Sequence, residues 1–288
     1  MVIPLIEQLK EIFKDKITEE EMKLLPSSFD IVGSREKAIA IVEIPEELKD
    51  KQEIIAKTIM KLHKNIKTVL KKASERKGKE RIREYELIAG DANTEVIHKE
   101  YGYFIKLDPQ KVYFSPREAT ERQRIAEQVK AGENVLVMFS GVCPYPLAIF
   151  KKQPKVGKVV GIEINPEAHK YAEENVKLNK AEKKILPILG DVKKVCPENY
   201  GKFDRVVMPL PLGAESFLDI AIKCLRLEGG IIHFYSWGNE NDLYARALKL
   251  IERNAKKLKK KFEVLDKRKV LPYKPKTYKV CIDFKVYP

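Results

Sequence analysis

Val135-Leu-Val-Met-Phe-Ser-Gly-Val-Cys-Pro144 is an apolar run that breaks at a glycine. Val159-Val-Gly-Ile-Glu-Ile-Asn-Pro166 is a second apolar run, and it ends in the carboxylate of Glu163. The interval between them has room for one helix. Short apolar runs bounded by turn residues and separated by a helix-length segment predict parallel strands of a βαβ unit. Ligands of such units lie beyond the carboxyl ends of the strands, where an acid after the second strand suits the hydroxyls of a ribose.

Outward from these two strands the alternation continues. Helices are expected at 119–130, 144–151, 166–179, 214–226 and 240–261, and strands at 134–139, 158–163, 185–189, 203–208, 229–236, 262–269 and 278–286. Such alternation predicts a mostly parallel sheet with helices on both faces. The last two strands, around Leu271-Pro-Tyr-Lys-Pro275, predict an antiparallel closing hairpin. Upstream the pattern is mixed. A helical stretch over 3–25 includes a Thr18-x-x-Glu21 capping box. Strands follow at Phe29–Val32 and Ala38–Ile44, then a helix after Pro45 with Ile54, Ile55, Ile59 and Leu62 on its inner face. Thr68-Val-Leu70 returns to strand, and Glu95–His98 with Tyr103–Leu107 predict a hairpin. The border between the two patterns falls after Val112, giving domains 1–112 and 113–288. The fold class is therefore α/β, a Rossmann-like class I domain of the type that uses S-adenosylmethionine (AdoMet), behind a smaller N-terminal α+β domain.

The 288 residues carry 44% hydrophobic residues, enough for a core in each domain, and a net charge of +14 that points to a polyanionic partner. Lys57 to Arg83 holds eleven Lys and Arg against Glu75 and Glu80. Its second half, with Lys71, Lys72, Arg76, Lys77, Lys79, Arg81 and Arg83, reads as an exposed loop fit for a phosphate backbone. The plainer reading is a solvated charged face. Cys143, Cys196, Cys224 and Cys281 form no C-x-x-C pair, so reduced cytoplasmic thiols are expected and no metal site. No run reaches membrane-spanning length.

Glu163 with Asn165 ends the second strand and Gly190-Asp191 ends the third. In a parallel sheet these polar ends meet the end of the first strand at one edge, with the loop Met208-Pro209-Leu-Pro211-Leu-Gly213 after the fourth. A carboxylate there holds ribose hydroxyls, and an Asp or a backbone amide holds an adenine amino group. The plainer reading makes Asn165 and Asp191 helix caps. Pro209 and Pro211 stiffen a loop over the pocket mouth, where a transferase recognises its target base. Upstream, Arg81, Arg83, Tyr113, Arg117 and Glu121 suit an enzyme that flips a base, removes a proton with a carboxylate and steadies purine oxygen with an arginine. Ion pairing is the competing role.

These residues resemble the archaeal and eukaryotic tRNA (guanine37-N1)-methyltransferase family, whose relatives include the wyosine-pathway aminocarboxypropyl transferases. The resemblance spans roughly residues 65–288. It rests on Arg81-Ile-Arg-Glu-Tyr-Glu-Leu-Ile-Ala-Gly90, His98-Lys-Glu, Lys111-Val-Tyr-Phe-Ser-Pro-Arg117 with Glu121-Arg122, Ile162-Glu-Ile-Asn-Pro166, Gly190-Asp-Val192 and Gly229-Gly-Ile-Ile-His-Phe-Tyr235. It implies AdoMet as cofactor, the tRNA anticodon stem-loop as partner, and guanosine 37 as target. Arg81 would stabilise guanine O6 and Glu121 would be the general base at N1. Tyr113, Phe139, Gly141, Glu163, Asn165 and Asp191 would line the cofactor site, and Arg83, Arg117, Pro209 and Pro211 would meet the RNA. A cytoplasmic monomer is expected.

The sequence departs from the family pattern in three places. Val137 replaces the acid of the first strand, Cys143 replaces a glycine, and Pro209 replaces an asparagine. Two alternatives therefore stay open. One is a wyosine-pathway enzyme transferring a methyl or aminocarboxypropyl group to modified guanosine 37. The other is a non-catalytic tRNA-binding homologue.

Overall fold

The computed structural model describes residues 4–74, 78 and 83–288. The chain divides into two compact units, one of residues up to 100 with 104–116, the other of 101–103 with 117–288. The change-over between Pro116 and Arg117 lies a few residues after the border read from the sequence.

In the first unit, helix α1 (Leu5–Phe13) buries Leu5, Leu9 and Phe13, spaced one helical turn apart. Helix α2 (Glu19–Leu24) begins at the expected capping box: the Thr18 hydroxyl accepts from the Glu21 N–H at 3.1 Å, and the Glu21 carboxylate accepts from the Thr18 N–H at 2.8 Å. Strands β1 (Asp30–Gly33) and β2 (Ala38–Val42) precede a 3-10 turn over Glu46–Lys51 and helix α3 (Gln52–Leu62). Strands β3 (Ile66–Lys72) and β4 (Tyr85–Gly90) complete a four-stranded sheet in the order β1-β2-β3-β4, with β2 and β3 parallel. Two expectations are corrected. Ile54 is 45% exposed, because α3 turns Ile55, Ala56 and Ile59 inward and Ile54 sits about 100° round the helix from Ile55. The sequence reading also left out strand β4, which pairs antiparallel with β3.

Strands β5 (Val96–Glu100) and β6 (Tyr103–Leu107) form the expected hairpin. Tyr101 (φ +40°) and Gly102 (φ +86°) make its turn, the positive-φ pair that two-residue hairpin loops need. His98 of β5 accepts a hydrogen bond from the Gly33 N–H at 3.1 Å through Nδ1 and packs edge-on against Phe114, so it ties β1 to the hairpin.

The second unit runs α4 (Ala119–Gln128), β7 (Val135–Met138), α5 (Pro144–Lys152), β8 (Val159–Glu163), α6 (Pro166–Leu178), β9 (Ile185–Leu189), α7 (Val192–Val195), β10 (Arg205–Met208), α8 (Leu218–Cys224), β11 (Gly230–Asn239), α9 (Ala245–Lys257), β12 (Lys261–Lys274) and β13 (Thr277–Tyr287). Its seven-stranded sheet has the order β12-β13-β11-β10-β7-β8-β9. Strands β7 to β11 are mutually parallel where they pair, and β13 is antiparallel to both β11 and β12. One sheet face packs Leu136, Met138, Val160, Ile162, Val206, Met208, Ile232, Phe234, Ile282 and Phe284 into a core with α8 and α9. Truncating one of its largest members, such as Phe234, to alanine costs about 3–5 kcal/mol. The helix expected over 240–261 is shorter, because β11 extends to Asn239 and β12 starts at Lys261. Among the described residues no helix is long and apolar enough to cross a membrane.

Candidate active site at the carboxyl edge of the sheet

The strand order reverses between β7 and β10, the topological switch point where open α/β sheets bind ligands. Register places the candidate residues there. Gly161, Val137, Val207, His233 and Asp283 lie in one row across β8, β7, β10, β11 and β13. Toward the carboxyl edge the next residues on that face are Glu163 of β8, Tyr235 of β11 and, two residues back along antiparallel β13, Cys281, with Phe139 and Pro209 just past the ends of β7 and β10.

Glu163 is buried and fixed. One carboxylate oxygen accepts from the Gly141 N–H at 2.7 Å, and the other accepts from the Ile164 and Asn165 N–H groups at 3.0 and 2.8 Å. The loop it grips is backbone-strained. Phe139, Gly141 and Cys143 all have positive φ, of 56°, 55° and 65°. A left-handed phenylalanine and cysteine are uncommon outside functional turns. The Phe139 ring meets Phe217 edge-on at 5.0 Å. Asn175, wholly buried on α6, donates to the Val142 carbonyl at 3.1 Å and pins the loop from behind.

The departures at Val137 and Cys143 are absorbed by the interior. Both side chains are fully buried, and Cys143 Sγ lies 3.9 Å from Ser140 Oγ. Gly161 makes the room: a Cβ there would sit 2.8 Å from Ser140 Oγ and 3.3 Å from Cys143 Sγ. Burial is the first cause that pushes the Cys143 thiol up to about 12, with the Glu163 charge adding to it against the Ser140 hydrogen bond. Asn165 and Asp191 are helix N-caps. The Asn165 side chain accepts from Glu167 and Ala168, and that of Asp191 from Lys193. Pro209 is half-buried and Pro211 buried in the loop after β10, with Leu210 packed on the core.

Glu121 lies on α4, buried, in a polar network that spans the other end of the site row. Arg124 Nε and an Arg124 terminal nitrogen donate to its two carboxylate oxygens at 2.9 and 2.8 Å, and the Tyr235 hydroxyl donates to Oε1 at 2.6 Å. The Tyr145 hydroxyl, from the first turn of α5 beyond the strained loop, donates in turn to Tyr235 at 3.2 Å. Burial pushes both tyrosines well above their ordinary values, so both keep their protons at neutral pH. Arg124 also binds Asp283, which receives Gln128 at 3.0 Å and His233 Nδ1 at 2.7 Å. His233 Nε2 faces an Arg205 guanidinium nitrogen at 2.8 Å, and Arg205 pairs with Glu133 at 2.8 Å. Because Asp283 accepts and Arg205 donates, the ring is neutral with its proton on Nδ1. Burial is the main cause that lowers the His233 pKa, with Arg205 and Arg124 helping and Asp283 opposing. His233, Cys281 and Asp283 bring ligand-type atoms within 4.8 Å of one another, and these atoms are hydrogen-bonded among themselves, with Cys281 Sγ donating to Asp283 Oδ1 at 3.2 Å, and to Arg205 and Arg124.

Several candidate residues lie elsewhere. Lys71 and Lys72 belong to β3 rather than to a loop, and Lys71 is 7% exposed, beside Gln52 at 3.3 Å and Glu86 at 3.8 Å. A strand pairing on both sides drew them into the sheet, which corrects the exposed-loop expectation. Arg76, Lys77, Lys79 and Arg81 lie outside the described residues. Arg83 and Tyr113 are half-buried in the first unit, and Arg117 is exposed at the start of the second. Sequence reasoning missed Arg124, Tyr145, Asn175, Tyr235 and the His233–Asp283 pair. Asn175 was detectable as a polar residue on the apolar Ala168-Tyr171-Ala172-Val176 face of its helix.

A sheet of this order, with a buried acid closing the second parallel strand and a strained turn after the first, defines a Rossmann-like methyltransferase domain. Residues 96–265 match the TRM5/TYW2 methyltransferase domain, and residues 9–94 match the TYW2 N-terminal domain. The chain belongs to the TRM5/TYW2 methyltransferase family. It is 45% identical over 270 residues to the tRNA (guanine(37)-N(1))-methyltransferase Trm5b of Pyrococcus abyssi, across 94% of this chain and 78% of that protein. The crystal structure of that enzyme superposes with a TM-score of 0.85, covering 95% of this chain and 79% of that one. The structure of a complex of aTrm5 and tRNALeu gives 0.84 at 38% identity, covering 99% and 78%. Pyrococcus horikoshii TYW2 in complex with MeSAdo gives 0.80 at 28% identity, covering 98% and 99%.

Proposed function

We propose that this protein is an AdoMet-dependent tRNA methyltransferase acting on N1 of guanosine 37, beside the anticodon. The observation that carries the reading is the Glu121 carboxylate, held at the carboxyl edge of the sheet by Arg124 and Tyr235. Three of its roughly four acceptor directions are taken, and the remaining one, on Oε2, suits the N1–H of a guanine. The names of the relatives support the same substrate.

The residues of the edge suit a nucleoside cofactor. Glu163 is a buried, pre-oriented acid where ribose hydroxyls would lie, and Phe139 and Phe217 supply an aromatic wall. AdoMet supplies a methyl group on a sulfonium, open to displacement by a nucleophilic nitrogen. The chain does the rest. Glu121 takes the N1 proton as N1 becomes the nucleophile. Arg81, assigned from the sequence alone, steadies the charge that develops on O6. Tyr145 and Tyr235 link the turn beneath the cofactor to the base, so the two halves of the reaction are held in one geometry. Asn165 and Asp191 fix the first turns of α6 and α7, and Pro209 and Pro211 stiffen the loop that faces the target base. The family resemblance assigns Tyr113 to the cofactor site and Arg83 and Arg117 to the RNA, and the basic segment of the sequence assigns Lys72, Arg76, Lys77 and Lys79 to the RNA backbone of the anticodon stem-loop. The N-terminal unit is the RNA-binding part. The protein works as a monomer in the cytoplasm, a compartment that suits its four free buried cysteines.

The match of residues 9–94 to the TYW2 N-terminal domain favours one second reading, transfer of the aminocarboxypropyl arm of AdoMet to a modified guanosine. AdoMet labelled separately in the methyl and carboxyl groups decides. Methyl label alone in tRNA supports the first reading, and carboxyl label in tRNA supports the second.

A further inference from the structure

The register of the sheet leaves an arm above the proposed active site. Met208, the last residue of β10, pairs with Phe234, yet β11 runs on to Asn239. Over that stretch its partner is β13, Cys281 back to Thr277, with β12 beyond. The three-stranded extension rises roughly 16 Å past the end of β10 at about 3.3 Å per residue, from the same edge as Glu163 and Tyr235.

Its face carries an aromatic pair. Trp237 is two residues beyond Tyr235 on the same side of β11, which places it about 7 Å from the tyrosine that hydrogen-bonds Glu121. Trp237 stacks on Tyr273 of β12, ring centroids 4.2 Å apart and planes at 29°. Tyr273 is 54% exposed. On the opposite face Lys269 lies over the Tyr278 ring at 3.4 Å, and exposed Lys274 and Lys276 bracket the hairpin tip. Lysines and Pro272 are ordinary protection for an edge strand. A near-parallel stack of a half-buried tryptophan on an exposed tyrosine is not part of that protection, and it leaves the Tyr273 ring open to water on the arm that rises from the catalytic edge.

We propose that Trp237 and Tyr273 form a stacking platform for an unpaired nucleobase of the anticodon loop next to the target guanosine. The inference rests on the tRNA reading above. Aromatic faces accept any base, and cations along the same arm meet the backbone that carries it. The platform takes a flanking base, so it acts on RNA affinity rather than on the methyl transfer itself.

Trp237 is the single tryptophan of the chain, so its fluorescence reports this site alone. The test titrates the full chain with an anticodon stem-loop RNA and with a blunt RNA duplex of equal length, and follows fluorescence together with filter binding. The expected result is quenching by the stem-loop on the same curve as filter binding, with no quenching by bound duplex. Trp237→Leu and Tyr273→Ala each weaken stem-loop binding about 10-fold or more and leave kcat at saturating RNA near that of the native enzyme, while Trp237→Phe keeps most of the affinity. Unchanged melting temperature and AdoMet binding show that the variants fold. A stem-loop that binds without quenching, or double-variant affinity equal to native, overturns the platform. Quenching and binding without any methyl transfer would instead sink the methyltransferase reading and leave the platform standing.

Discussion

Arg124 holds both oxygens of Glu121 on one turn of α4, while a nitrogen of the same guanidinium binds Asp283 of β13. The proposed general base is thus clamped to the sheet rather than to its own helix alone. Glu121→Gln should lower kcat by about 10²–10⁴-fold with AdoMet and RNA binding retained. Single-turnover kinetics with saturating enzyme measure this, and a variant of native rate would remove Glu121 from the chemistry.

Breaking the clamp should cost stability as well as rate. Arg124→Leu leaves Glu121 and Asp283 buried without their cation, and such a loss costs about 3–5 kcal/mol. Urea unfolding measures it. Tyr235→Phe is the gentler change: it removes the hydrogen bond to Oε1 and the one accepted from Tyr145, so kcat should fall and stability should drop by about 1–3 kcal/mol, less than for Arg124→Leu.

His233 gives the network a pH dependence of known sign. Its folded pKa lies below 6.5, so below that pH the unfolded chain takes up a proton that the folded ring refuses. Stability contributed by the neutral ring is full above pH 6.5 and is lost as pH falls beneath it, with a slope of at most about 1.4 kcal/mol per pH unit. His233→Gln should be less stable at neutral pH, and its urea midpoint should fall less than the native one between pH 7 and 5.5. Parallel pH curves would contradict the buried neutral histidine.

Gly161 is the spacer beneath the cofactor turn. In Gly161→Ala the new methyl meets Ser140 and Cys143, and overpacking of this kind costs about 1–3 kcal/mol. Because the displaced turn includes the Gly141 N–H that Glu163 grips, AdoMet affinity should fall with it. Calorimetry reads both the affinity and the melting temperature.

The Cys143 thiol, buried and pushed up to about 12, should resist iodoacetamide in the native enzyme and react only on unfolding. Mass spectrometry of alkylated peptides shows this. Ready native labelling at Cys143 would mean that the turn opens.

The parallel sheet was legible because each strand is a short apolar run with a turn at its end, and the polar strand ends placed Glu163, Asn165 and Asp191 among the candidates. The deeper network was not. Glu121 could be named from a resemblance, but nothing local in the sequence says that Arg124 reaches Asp283 or that Tyr235 reaches Glu121. Those contacts join residues far apart in the chain and depend on the register of β11 with β13. Asn165 and Asp191 show the reverse. Their residue type favoured helix caps, and capping is what both side chains do. Lys71 misled because a run of lysines looks solvated, whereas pairing with β2 and β4 buries the strand that carries it.

The most direct test is transfer from methyl-labelled AdoMet to an unmodified tRNA transcript with G37, against the same transcript with A37, followed by digestion to nucleosides. The account predicts label in 1-methylguanosine from the G37 transcript alone and none from the A37 transcript. Equal labelling of both transcripts, or no labelling of either by folded, AdoMet-binding enzyme, would contradict it.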